Sequence, residues 1–135
     1  MSFYNETLLD HSSHPLHRGE ITDADVVFEA KNASCGDNIK LFLKVENNKI
    51  IDAGFTGVGC AVSQASADIM LDSIIGKSLD EAKKTCEDFL NYWQSGEGVE
   101  KIGEAEAFAD IRHMPARTKC VTTVWRSFLT SHRSS

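Results

Sequence analysis

The fold turns on residues 39–62, "IKLFLKVENNKIIDAGFTGVGCAV". Ile39, Leu41, Leu43 and Val45 occupy every second position of its first half, alternating with Lys40, Phe42, Lys44 and Glu46. A period of two sends alternate side chains to opposite faces, so 39–46 reads as a half-buried strand. Asn47-Asn48 follows, and asparagine tolerates the positive φ of a tight hairpin turn. Lys49 to Thr56 is then the returning strand, and Val26 to Lys31 supplies a third upstream. The economical arrangement is an antiparallel meander. Past Gly57 and Gly59 the period changes. Val62, Ser66, Ile69 and Ser73, with Ala65 and Met70 alongside, recur at helical spacing in a segment of small residues suited to close packing.

Gly76 closes that helix from the left-handed C′ position. Ser78 and Glu81 make a capping box for the next, whose inward stripe is Leu79, Ala82, Cys86, Phe89, Leu90 and Trp93, ending near Gly96. A weaker helix is expected within "GEAEAFADI" (103–111), and a final one from about Pro115, a favourable first-turn residue, burying Val121, Val124, Trp125, Phe128 and Leu129. At the other end, 3–10 suits a short helix, followed by an irregular stretch broken by Pro15 and Gly19. Strands first and helices afterwards define an α+β fold: a small antiparallel three-stranded sheet followed by packed helices, in a single domain over 1–135.

Composition narrows the function. A formal net charge of −6 argues against nucleic acid as a general partner, because phosphate binding needs a basic surface. No apolar run approaches the roughly 18 residues that a membrane span needs, and the N-terminus lacks the basic and apolar regions of a signal peptide. No membrane association is expected, and the cytoplasm is the expected compartment. Thiols stay reduced there, so the 4 cysteines point to metal or sulfur chemistry rather than disulfides.

The cysteines differ in setting. Cys86 lies inside an apolar helical stripe and reads as core. Cys35 stands in the polar break "NASCGDNIK" (32–40) between two strands. Cys60 follows "GFTGVG" at the start of a helix, where free N–H groups and the dipole favour thiolate. Cys120 comes early in the last helix, with Arg117 three residues before it on the same side, able to stabilise an anion. Asp37 can point the same way as Cys35, with Gly36 allowing the bend between them. Three thiolates and a carboxylate form a tetrahedral set suited to Zn²⁺. Bland readings stand beside this one: three unrelated thiols, which fits each cysteine singly but the set less well, and Asp37 as an Asx-type turn residue, weighed evenly against its reading as a ligand. The chain has no CxxC pair and matches no zinc-finger spacing. His11, His14 and His17, in the Pro-broken segment, read as solvent-exposed residues outside any site, and His113 as a local helix-entry residue.

"SCGD" between strands, "GFTGVGCAVSQASADIM" as a glycine turn entering a helix, and "MPARTKC" opening the last helix together resemble the IscU/NifU-N/SufU family of iron–sulfur cluster assembly proteins. The resemblance runs in order over nearly the whole chain. IscU-type members usually carry His directly before the last cysteine, where this chain has Lys119. "ARTKC" and the long stretch between Cys60 and Cys120 are similar to the SufU type. Ala33-Ser34 replaces the family's usual Asn-Pro-Thr or Pro-Ser before the cysteine. The resemblance implies a SufE/NifU-like fold and zinc held by Cys35, Asp37, Cys60 and Cys120. It further implies a zinc-dependent sulfurtransferase role with Cys35 accepting persulfide sulfur. The donor would be a pyridoxal-phosphate cysteine desulfurase, and the recipients the downstream iron–sulfur assembly machinery. Two alternatives remain: a scaffold building a [2Fe–2S] cluster, with iron in place of zinc, on the same cysteines, and a structural zinc domain with a partner-binding surface.

Overall fold

The computed structural model describes residues 6–32 and 36–131. Strands β1 (Val26–Asn32), β2 (Asp37–Glu46) and β3 (Lys49–Val58) form one antiparallel sheet in the order β1-β2-β3. Ile39, Leu41 and Leu43 pair with Ala30, Phe28 and Val26 on one side and with Gly57, Phe55 and Ala53 on the other. This is the inward set of the alternation, and the register carries it across all three strands. The hairpin is the expected one, with Asn47 and Asn48 at φ 51° and 66°. A register shift between Lys44 and Val45 sits next to it. Phe42 departs from the expected polar face. It is buried beside Val27 and Gly54, with the Lys40 ammonium 5.6 Å from its ring centroid and the lysine stem available to cover it.

The helices α2 (Ala61–Ile74) and α4 (Thr118–Ser131) cover the inward face of the sheet, and α3 (Leu79–Ser95) packs against both of them. α2 is buried over most of its length, and its small residues let α4 come close. At that crossing Ser66 Oγ donates to the Val121 carbonyl at 2.6 Å and accepts from Trp125 Nε1 at 2.9 Å. Trp125 stacks on Phe89 of α3 at 4.1 Å, and Phe128 meets Phe28 of β1 edge-on at 6.0 Å. The Ser78–Glu81 capping box opens α3, and Gly96 closes it at φ 80°. Cys86 is fully buried in this core, and burial pushes its thiol pKa well above the ordinary range. Between α3 and α4 the chain makes short 3-10 turns, including Gly103–Phe108 where a weak helix was expected and Pro115–Arg117 where the last helix was expected to begin. Buried Phe108 and Ile111 pin this connection to the core. Among the described residues, no helix is long and apolar enough to cross a membrane.

The first helix, α1, is Glu6–Ser13 and runs three residues past the end of the expected 3–10, of which residues 3–5 lie outside the described region. The histidine reading needs correction here. His11 is buried, its Nδ1 2.5 Å from Oδ2 of Asp68 and its Nε2 3.3 Å from Glu104. Asp68 is fully buried within α2 and also accepts the backbone N–H groups of Leu16 and His17. His17 is half-buried, its Nε2 3.0 Å from Asp72, and only His14 is exposed as expected. A buried carboxylate demands several donors, and Asp68 draws them from the segment that looked irregular in sequence.

Candidate metal centre

The sheet ends on Asn32 and Asp37, which pair across β1 and β2. Cys35 lies between them in sequence and outside the described residues. Asp37, expected in a loop, is the first residue of β2 and is buried. β3 then delivers the chain to α2 through Gly57, which takes φ 116° and passes so close to β2 that a Cβ would stand 2.2 Å from the Asn38 carbonyl. Cys60 caps α2, with extended backbone at φ −70° and ψ 168°. Its Sγ accepts the Ser63 N–H at 3.4 Å, one of the donors a helix start leaves unpaired. Cys120 sits in the first turn of α4, 2% exposed, where the α2–α4 crossing brings the two helix starts together.

Among the described residues, Asp37, Cys60 and Cys120 form one cluster whose ligand atoms all lie within 4.8 Å of one another. Both carboxylate oxygens of Asp37 are held from the start of α2. Oδ1 accepts the Cys60 N–H at 3.1 Å, and Oδ2 accepts the Ser63 hydroxyl at 2.5 Å. Gly59 keeps this approach open, since a Cβ there would sit 3.2 Å from Oδ1. Two soft sulfurs and a carboxylate oxygen, close enough for one ion to draw on all three, suit zinc and form an incomplete tetrahedral set. Arg117 is half-buried at the end of the 3-10 turn leading into α4, and Lys119 is exposed.

Two residues near the cluster escaped the sequence reading. Ser63 is 2% exposed and touches both Cys60 and Asp37, with its Oγ 3.3 Å from Sγ. Its signal is the position three residues after a helix-start cysteine, where a side chain folds back on the cap. Asn32 continues the inward alternation of Phe28 and Ala30, yet it is polar and 4% exposed, and among the described residues its Nδ2 has no hydrogen-bond partner. A polar residue at the buried register position beside Asp37 was readable in sequence.

The chain belongs to the NifU-like N terminal domain family, whose model matches residues 3–121. Two similar relatives divide along the same line as the motifs. An iron-sulfur cluster assembly scaffold protein IscU from Thermotoga maritima is 40% identical over 92% of this chain and 88% of its own. The zinc-dependent sulfurtransferase SufU of Bacillus subtilis is 34% identical over 93% of this chain and 86% of its own. Among solved structures, an iron-sulfur cluster assembly scaffold protein for the SUF system from Fervidobacterium islandicum superposes with a TM-score of 0.89 at 35% identity, covering 96% of each chain.

Proposed function

We propose that this chain, as a single domain over 1–135, is a zinc-dependent sulfur acceptor of iron–sulfur cluster assembly working in the cytoplasm. Cys35, Asp37, Cys60 and Cys120 are the zinc ligands, and Cys35 is the acceptor. The observation that carries the reading is the meeting of Asp37, Cys60 and Cys120 within 4.8 Å. These residues are far apart in sequence and come from three different elements. Unrelated thiols would have no reason to converge around a buried carboxylate. A bound zinc ion would hold its thiol ligands deprotonated.

Sulfur transfer itself is a displacement between sulfurs. The Cys35 thiolate attacks the terminal sulfur of a persulfide on a cysteine desulfurase. A new sulfur–sulfur bond forms on Cys35, the donor's sulfur–sulfur bond breaks, and the donor cysteine leaves as thiolate, with no net redox change. Cys60 and Cys120 are tied into the starts of α2 and α4, which suits them to remain as ligands while Cys35 accepts. Arg117, three residues before Cys120, supplies positive charge for the anion at the site.

The scaffold reading, a [2Fe–2S] cluster held on the same cysteines, is favoured by the likeness to the Thermotoga maritima IscU. Against it stands Lys119, whose ammonium offers no ligand where IscU-type chains carry a histidine. The test is incubation with a cysteine desulfurase, cysteine and zinc, followed by peptide mapping. One extra sulfur on Cys35 is expected. A visible iron–sulfur chromophore on protein purified without oxygen, with no sulfur trapped on Cys35, would replace this reading with the scaffold.

A further inference from the structure

The zinc reading names four ligands and leaves open what orients them. Asp37 is a short side chain on the first residue of a strand, and a carboxylate turns readily about its last bond. Its orientation is nonetheless fixed in this fold. Oδ1 is held by the Cys60 N–H at 3.1 Å and Oδ2 by the Ser63 hydroxyl at 2.5 Å. Ser63 also donates its N–H to Cys60 Sγ, at 3.4 Å. One residue of α2 therefore grips an oxygen ligand from the sheet and a sulfur ligand from the helix cap.

A serine hydroxyl has a single proton. Ser63 Oγ lies 2.5 Å from Asp37 Oδ2 and 3.3 Å from Cys60 Sγ, so the proton goes to the carboxylate. The sulfur takes the backbone N–H instead. This division of labour leaves lone pairs on both ligands for a cation, while Asp37 keeps one hydrogen bond on each oxygen and Cys60 Sγ keeps the Ser63 N–H.

We propose that Ser63 is the positioning residue of the metal site, its hydroxyl fixing the Asp37 carboxylate as an oxygen ligand beside Cys60. The proposal rests on the zinc reading, and it makes Ser63 part of how tightly the metal is held. Outer hydrogen bonds to metal ligands commonly change metal affinity by about 10–100-fold. Alanine at position 63 removes the hydroxyl while keeping the backbone N–H to Cys60 and favouring helix.

The experiment is a double-mutant cycle read by zinc affinity, using competition with a chromophoric chelator on the full chain. Wild type, Ser63→Ala, Asp37→Ala and the double variant are compared, and urea midpoints of the zinc-free forms check that each is folded. Ser63→Ala is expected to weaken zinc binding by about 10–100-fold. In the Asp37→Ala background the same change should cost less than about threefold, because the carboxylate it positions is gone. A visible cobalt spectrum supplies a second readout, with bands that shift in Ser63→Ala toward those of Asp37→Ala. Unchanged affinity in Ser63→Ala, or an equal loss in both backgrounds, would overturn the proposal while leaving a zinc-binding wild type intact. A wild type that binds no zinc would instead remove the reading beneath it.

Discussion

Replacing Ser66 with alanine tests the contact that brings the two helix-borne cysteines together. Ser66 lies six positions after Cys60 on α2, and its hydroxyl reaches the carbonyl of Val121, the residue after Cys120. The same oxygen is the acceptor for the indole N–H of Trp125, a residue 1% exposed and stacked on Phe89. Ser66→Ala therefore strands a buried indole donor and takes a donor from a buried carbonyl, at nearly unchanged volume. An unsatisfied buried donor costs about 1–3 kcal/mol. With two partners affected, about 2–3 kcal/mol is expected. For a domain of this length that corresponds to a fall in Tm of roughly 6–9 °C. Urea unfolding of the zinc-free protein is the assay, with a lowered midpoint and an unchanged slope. In a Trp125→Phe background the indole donor is already absent, so Ser66→Ala should cost clearly less. A loss within about 0.5 kcal/mol of zero, the size expected of an uninvolved surface change, would refute the reasoning.

Other outcomes follow from the same packing. Cys86→Ser should keep zinc binding and sulfur acceptance and lose roughly 1–3 kcal/mol of stability, measured by urea unfolding, because it buries a hydroxyl in an apolar stripe. Asn32→Leu should leave the zinc-free protein as stable as wild type or raise its Tm, since the buried amide Nδ2 forfeits no bond; a marked fall would mean that this amide has a partner. His11 is expected to make the docking of α1 sensitive to pH. Burial works to lower its pKa, but the hydrogen bonds and charges of Asp68 and Glu104 outweigh it and the net shift is upward from 6.5. A raised folded pKa gives stabilisation that is complete below 6.5 and fades as pH rises through the folded value. The stability gap between wild type and His11→Gln should accordingly narrow on going from acidic to alkaline buffer, and a gap that widens would contradict the pairing. Removing zinc with a strong chelator should lower the Tm, because binding free energy at such a site adds to folding.

How much was legible in the sequence depended on whether the determining contact was local. The period of two over 39–46, the Asn47-Asn48 turn and the Ser78–Glu81 capping box are each written within a few residues, and each stands as read. Cys86 fell to the core by its helical stripe, and Cys60 to a helix start by the glycines before it. Contacts between distant segments were not legible. Nothing near His11 announces that Asp68, fifty-seven residues on, is buried and needs a partner. Phe42 looked outward by parity, yet neighbours on adjacent strands bury it. Ser63 was hidden for a related reason: its hydroxyl points to a residue on β2, so its role emerges only once α2 packs against the end of the sheet. The convergence of Asp37, Cys60 and Cys120 belongs to this second kind. Spacing alone left it open, and the family resemblance supplied the ligand set.

The most direct test of the site is X-ray absorption at the zinc edge on the zinc-loaded chain, with the Cys35→Ser variant alongside. The four-ligand assignment requires about one zinc per chain, coordinated by three sulfurs near 2.3 Å and one oxygen near 2.0 Å. The count should fall to two sulfurs when Cys35 becomes serine. A wild-type centre with two sulfurs or four, or one unchanged by Cys35→Ser, would contradict the assignment of Cys35, Asp37, Cys60 and Cys120 as the ligands.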